Sequence, residues 1–244
     1  MGVANQRSFA SAVAVSAARH GARVAVTYQN ERLADRAAAL AQQIPLAGTY
    51  ACDVSDDDSI ARCFEQVAAA LGRLDFLVHS IAYARKEDLD GRFVDTSRDG
   101  FLLAHDISAY SLIAVARAAR PLMAGGGSII TLTYLGSTRV FTNYNVMGSA
   151  KAALESSMRY LAGDLGPENI RVNAISAGPV KTLAASAVRG LHRIREVVEE
   201  RAPLRRNIEP ADVGDAAVFL ASDLSRSITG QVLFVDSGYH IMGF

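Results

Sequence analysis

Two tyrosines and a lysine stand close together in the second half of the chain: Tyr134, Tyr144 and Lys151. A phenol, with an ordinary pKa of about 10, can donate a hydrogen bond to an oxygen that is gaining negative charge. A nearby ammonium favours the phenolate and can also hold the hydroxyls of a ribose. Tyr144 and Lys151 are seven residues apart. Seven residues turn a helix through roughly 700° and advance it roughly 10 Å, so the two side chains should share a face. Gly148, Ser149 and Ala150 lie between them and are small enough to admit another group. A Tyr-x6-Lys pair by itself is commonly just two positions of an amphipathic helix, so the surrounding elements decide what it means.

Those elements alternate. Short β-branched runs at Arg23–Tyr28, Leu46–Cys52, Leu74–His79, Ser128–Thr133, Ile170–Ser176 and Gln231–Asp236 read as strands. Between them, Glu31–Gln43, Asp56–Leu71, Ser97–Met123, Asn143–Leu165 and Pro210–Ser222 read as helices, and the apolar stretch Phe9–Ala18 as a core helix. Strand–helix alternation implies parallel strands with right-handed crossovers, an α/β doubly wound parallel sheet. Ligands of such sheets bind at the carboxyl ends of the strands, where Tyr134 follows one strand and Tyr144 opens the next helix.

The 244 residues suit one domain over residues 1–244, with no repeat, low-complexity tract or linker. Half the residues are hydrophobic and the formal net charge is zero, which argues against broad attraction to nucleic acid or anionic membrane. Cys52 and Cys63 have neither metal-ligand nor CxxC spacing, so two reduced thiols in a cytoplasmic protein and no metal are expected. No unbroken apolar run reaches the ~18–20 residues of a membrane span. His105-Asp106 is not a dyad, because adjacent helical residues point about 100° apart. The apolar stretch at 112–119 reads as a buried helix face.

One feature departs from the expected sheet. Residues 1–10 form a loop-to-helix segment, where a dinucleotide-binding sheet should begin with a strand feeding that loop. The N-terminal strand is therefore expected to be missing, with its two neighbours left unpaired. A true start a short way upstream would explain this. If instead the chain exists as given, the sheet has a gap or has re-paired, and dinucleotide affinity should suffer.

Several segments together resemble the short-chain-dehydrogenase type of enoyl-acyl-carrier-protein reductase, along essentially the whole chain. They include GVANQRSFA at 2–10, TYQNERL at 27–33, HSIAYA at 79–84, TLTYLG at 131–136, NYNVMGSAK at 143–151 and RVNAISAGPVKTLAAS at 171–186. Ordinary short-chain dehydrogenases carry Tyr-x3-Lys. Here Gly148 stands four residues after Tyr144, and the longer Tyr-x6-Lys spacing is that of the enoyl reductases. The resemblance implies a Rossmann-like fold, an NADH/NAD+ cofactor and reduction of the trans-2 double bond of an enoyl thioester in fatty acid elongation.

The resemblance also implies roles. Tyr144 would hydrogen-bond the thioester carbonyl, Tyr134 would support or protonate at the same site, and Lys151 would hold the nicotinamide ribose. Gly2, Ser8 and Phe9 match the phosphate-side loop, with Phe9 where an aliphatic residue is usual. Asp53 and Val54 match the adenine site, although Asp53 could equally begin a turn or cap a helix. Ile81 matches a ribose or nicotinamide contact, and Ala84 and Met147 the acyl pocket. Ala82 stands where glycine is frequent. Val180, Lys181, Thr182, Leu183 and Ala184 match the stretch that covers the nicotinamide.

Gln29 follows the second expected strand position, where the adenosine ribose should lie, and Glu31 beside it would repel a 2′-phosphate. NADH is therefore expected over NADPH. Spacings of three and four put Arg189, His192 and Arg193 on one helical face. The resemblance places that face at the mouth of the acyl pocket, where acidic carrier protein docks. It also implies a homotetramer through the helices at 97–123 and 143–165. The alternatives are a short-chain carbonyl reductase, against which the missing Tyr-x3-Lys pair argues, and a truncated or non-catalytic dinucleotide-binding chain.

Overall fold

A computed structural model describes residues 1–180 and 189–243. Its elements run α1 (Phe9–Arg19), β1 (Val24–Tyr28), α2 (Glu31–Ala38), β2 (Leu46–Ala51), α3 (Asp57–Leu71), β3 (Phe76–His79), α4 (Lys86–Leu89), α5 (Arg98–His105), α6 (Ser111–Ala119), β4 (Gly127–Thr133), α7 (Asn145–Leu165), β5 (Ile170–Ala177), α8 (Leu191–Arg201), α9 (Pro210–Ala221) and β6 (Val232–Val235). All strand pairings are parallel. Helices cover both faces: α3, α6 and α7 bury Phe64, Leu112, Val115, Leu154 and Met158 on one side, while α1 and α9 bury Val13, Val213 and Leu220 on the other.

Local sequence explains most of the boundaries. Ser8 caps α1, its hydroxyl accepting from the Ser11 amide at 3.2 Å. Asp56 caps α3 in the same way through Asp58, and Glu209 and Asp212 form a capping box around Pro210 at the start of α9. The region read as one helix at 97–123 is α5, a π-helical turn at Asp106–Tyr110, α6 and a short 3-10 turn. By length and composition this run could cross a membrane. Leu112, Val115, Ala119 and Met123 are instead buried in the core to within 1% exposure, as core helices are. His105 turns away from Asp106, bonding the Phe101 carbonyl and the Ser149 hydroxyl.

The sheet comes in two parts, β1-β2 and β3-β4-β5-β6. Residues 1–3 lie between them. The Met1 amino group donates to the Val78 carbonyl at 2.6 Å, the Ser80 amide donates to Met1, and the Val3 amide donates to Thr27 at 2.9 Å. Thus the carboxyl ends of β1 and β3 do gain partners, contrary to the expectation that both would be left unpaired. Further along the same interval lies a cavity of about 420 Å³, walled by apolar residues such as Val24, Val26, Val67 and Leu77. Burial there pushes the Met1 amino group down to about 6.

Candidate active site at the carboxyl ends of the strands

The carboxyl ends of β1 to β5 open onto one crevice of about 560 Å³, within the usual range for small-molecule sites. At one end it is walled by Gly2, Ser8, Phe9, Gln29, Asp53 and Val54. Ile81 and Val180 line its middle, and Ala84, Tyr134, Tyr144, Met147 and Lys151 its other end. Lys181, Thr182, Leu183 and Ala184 lie outside the described residues.

The first end is built for close approach. Gly2 has φ +86°, and a Cβ there would collide with the Ser80 carbonyl. Ser8, besides capping α1, donates its hydroxyl proton to the Asn5 carbonyl at 2.8 Å, so the loop delivers the N-terminus of α1 to the crevice. Asp53 is held as a turn: its Oδ1 accepts from the amide and hydroxyl of Ser55. Gln29 is exposed just past β1. Next to it, Glu31 opens α2 three residues after β1 ends, and the Tyr28 phenol is pushed upward, first by burial and then by that carboxylate.

At the other end the tyrosines meet edge to face, ring centroids 5.0 Å apart at 65°. Tyr144 does not sit within a helix as the spacing argument assumed. It is the N-cap of α7, with left-handed Asn143 and Asn145 on either side. Gly136 admits its ring, since a Cβ there would come within 2.6 Å of Tyr144 Cδ1. The favoured phenolate also fails. Burial pushes the Tyr144 hydroxyl up, aided by Tyr134 and Glu155, and burial pushes Tyr134 up as well. Both remain neutral donors because desolvation outweighs any help from Lys151.

Lys151 is buried, and its Nζ donates to the Leu132 carbonyl at 2.7 Å. Burial lowers it to about 8, with Glu155 acting in the opposite sense. Beneath the site His79 bridges Thr131 and Ser111 and is held neutral, lowered to about 3 by burial and then by Lys151. Two residues at the site escaped the sequence reading. Thr133 donates to the buried Glu155 carboxylate at 2.6 Å. The signal for Glu155 was its place four residues after Lys151, one turn along the same helix face.

Arg189, His192 and Arg193 are exposed, but not as one helical face. Gly190, at φ +85°, caps α8, so Arg189 precedes the helix that carries the other two. Its carbonyl accepts from the Asn143 side chain, which sets it beside the Tyr144 loop. His192 and Arg193 both contact Glu196.

The fold, the crevice at the strand ends, and a phenol–lysine pair at one end of it define a nicotinamide-dependent reductase of the short-chain dehydrogenase type. The family described as Enoyl-(Acyl carrier protein) reductase matches residues 2–240. Among curated relatives, the NADH-dependent enoyl-acyl-carrier-protein reductase FabI of Bacillus cereus is 54% identical over 245 residues, covering 100% of this chain and 96% of its own. The NADPH-dependent FabI of Staphylococcus aureus is 51% identical over 242 residues, covering 98% and 94%. A crystal structure of the Bacillus cereus enoyl-acyl carrier protein reductase, with NADP+ and an indole naphthyridinone, superposes with a TM-score of 0.98 at 53% identity, covering 100% and 96%. The chain belongs to the enoyl-(acyl carrier protein) reductase family.

Proposed function

We infer that this chain performs the family's reaction, the NADH-dependent reduction of the trans-2 double bond of an enoyl thioester carried on acyl carrier protein. The observation that carries the residue assignment is the convergence of Tyr134, Tyr144 and Lys151 on one end of a crevice whose other end suits a nucleotide. Bound NADH would supply the hydride that the β-carbon receives. Charge then gathers on the thioester carbonyl oxygen, and Tyr144, a neutral phenol, donates a hydrogen bond to it. Tyr134, in edge contact with Tyr144, supports or protonates at the same place. Lys151 would hold the nicotinamide ribose, while the Gly2–Phe9 loop and the start of α1, which wall the crevice, would receive the pyrophosphate. Asp53 and Val54 flank the adenine, Ile81 and Val180 the nicotinamide half, and Ala84 and Met147 the acyl chain. The test is loss of NADH absorbance with a trans-2-enoyl thioester. Turnover of an acetoacetyl thioester alone would return the carbonyl-reductase reading.

NADH is favoured because Glu31 opens α2 just past β1, where its carboxylate would face a 2′-phosphate. The expected kcat/KM is about tenfold or more higher with NADH than with NADPH, and Glu31→Ala narrows the gap. Equal efficiencies in the unmodified enzyme would overturn this preference.

Arg189 and Arg193 are read as the docking cations for acidic carrier protein, with His192 beside them. Their support is exposure beside the Tyr144 loop. Reversing Arg189 and Arg193 to Glu is expected to raise KM for the carrier-bound substrate about tenfold while leaving acyl-CoA unaffected. Equal changes for both substrates would dismiss docking. A homotetramer is supported by exposed Phe101, Leu102 and Tyr160 on α5 and α7. A cytoplasmic setting is supported by two buried, free thiols. The two ends of the crevice are read as parts of one domain.

A further inference from the structure

Behind the crevice, bonded to its lining residue Thr133, lies an acidic side chain to which the reaction assigns no task. Glu155 is 6% exposed and lies one turn after Lys151 on α7. The two side chains are tied to consecutive residues at the end of β4: Lys151 Nζ donates to the Leu132 carbonyl at 2.7 Å, and Thr133 Oγ1 donates to Glu155 Oε1 at 2.6 Å. Tyr134 follows directly. Both long side chains are thus held in one orientation against the strand that bears a substrate-side tyrosine.

A buried carboxylate is costly unless a cation or several donors compensate it. The groups facing this pair from other elements supply no cation at neutral pH. His79 of β3 is neutral. Tyr134, after β4, and Tyr144, at the head of α7, are protonated phenols. Asp236, after β6, is acidic and is itself bound by the Gly238 and His240 amides and the His240 ring. The Met1 amino group acts on His79 from below and is lowered to about 6. Lys151, held one strand residue away at Leu132, is the nearest cation among these groups, and among the described residues no salt bridge joins Glu155 to any base. The relation is reciprocal. Burial acts to strip Lys151 of its proton, and Glu155 opposes this.

We propose that Glu155 is a positioning residue of the reductase: its buried carboxylate, held by Thr133 beside the strand residue that receives Lys151, sets the charge with which Lys151 donates to the cofactor ribose. The second half of this statement rests on the reading of Lys151 given above. The first half does not. Glu155 does not line the crevice; it acts through the charge of its neighbour.

Titration of Lys151 in protein carrying 13C-labelled lysine, followed by NMR, reads that charge directly and without ligand. In Glu155→Gln, whose amide oxygen can still accept from Thr133, the Lys151 midpoint is expected to fall by about one to two pH units. Glu155→Asp keeps the charge but withdraws it, and should give a smaller fall. A Glu155→Gln midpoint that coincides with that of the unmodified protein overturns the proposal. If that variant does not fold, Glu155→Asp decides, and an unmoved midpoint there overturns it equally. NADH binding followed by fluorescence separates the two halves. Affinity in Glu155→Gln should collapse at a correspondingly lower pH than in the unmodified enzyme. A moved midpoint combined with full NADH affinity in Lys151→Met would sink the ribose assignment and leave the coupling of Glu155 to Lys151 standing.

Discussion

Replacing Tyr144 by Phe is expected to lower kcat about a hundredfold, or about 2.7 kcal/mol of transition-state stabilisation, while NADH affinity stays unchanged. The substitution removes one hydroxyl and little else. The ring keeps its edge contact with Tyr134 and its seat over Gly136. Because burial holds the phenol protonated, what is lost is a hydrogen-bond donor and not a negative charge. A donor that matters only once the carbonyl oxygen carries charge affects kcat and kcat/KM equally and leaves ground-state binding alone. Steady-state kinetics with an enoyl thioester check this. A loss of less than threefold would transfer the role to Tyr134.

Lys151→Met is expected to act in opposite directions on binding and on stability. Loss of charge-assisted donation to the ribose should weaken NADH binding by about 1.5–3 kcal/mol, roughly tenfold to a hundredfold. Without ligand, the variant should be more stable. Lys151 has a folded pKa of about 8, below its ordinary 10.5. For a base this means that the unfolded chain binds the proton more tightly. Stability contributed by this residue is therefore lowest below about pH 8 and rises as pH climbs toward 10.5. Removing the ammonium relieves a cost of about 3 kcal/mol near neutrality and flattens this part of the stability–pH profile. Denaturant unfolding across the alkaline range tests the claim. A variant less stable than its parent at pH 7 would show that the bond to Leu132 outweighs burial.

The layered sheet was legible because strands buried on both faces read as β-branched runs, as at Ser128–Thr133 and Ile170–Ser176, which the structure extends by one residue each. Two other readings leaned on helix periodicity where the local backbone departs from a helix, although Tyr144 and Lys151 still line one crevice. Counting seven residues from Tyr144 to Lys151 presumed a continuous helix, whereas left-handed Asn143 and Asn145 make Tyr144 a cap. Counting three and four from Arg189 presumed the same, and Gly190 breaks it. The expected helix Glu31–Gln43 ends at Ala38 and tightens to a 3-10 turn through Gln42. The bond between Thr133 and Glu155 went unread because it depends on which strand end meets which helix face; the spacing of Glu155 from Lys151 gave its place on the helix but not its partner. Asp53 marks the limit of motif reasoning, since its Ser55-bonded turn also sets Val54 at the crevice.

The divided sheet has a consequence for how the molecule holds together. The strands β1 and β2 with α1 and α2 enclose a small hydrophobic cluster around Ala14, Val26, Ala37, Leu40 and Ile44, separate from the large core under β4 and β5. Between the two sheets the backbone connection narrows to the few bonds made by residues 1–3. A seam of that kind favours sub-global opening, in which the smaller unit loosens before the larger one. The crevice spans the seam, with Gln29 and Asp53 on one bank and Tyr134 and Lys151 on the other. A dinucleotide lying across it would rivet the two units together, so that occupancy of the cofactor site sets the cooperativity of unfolding as well as the rate of reduction.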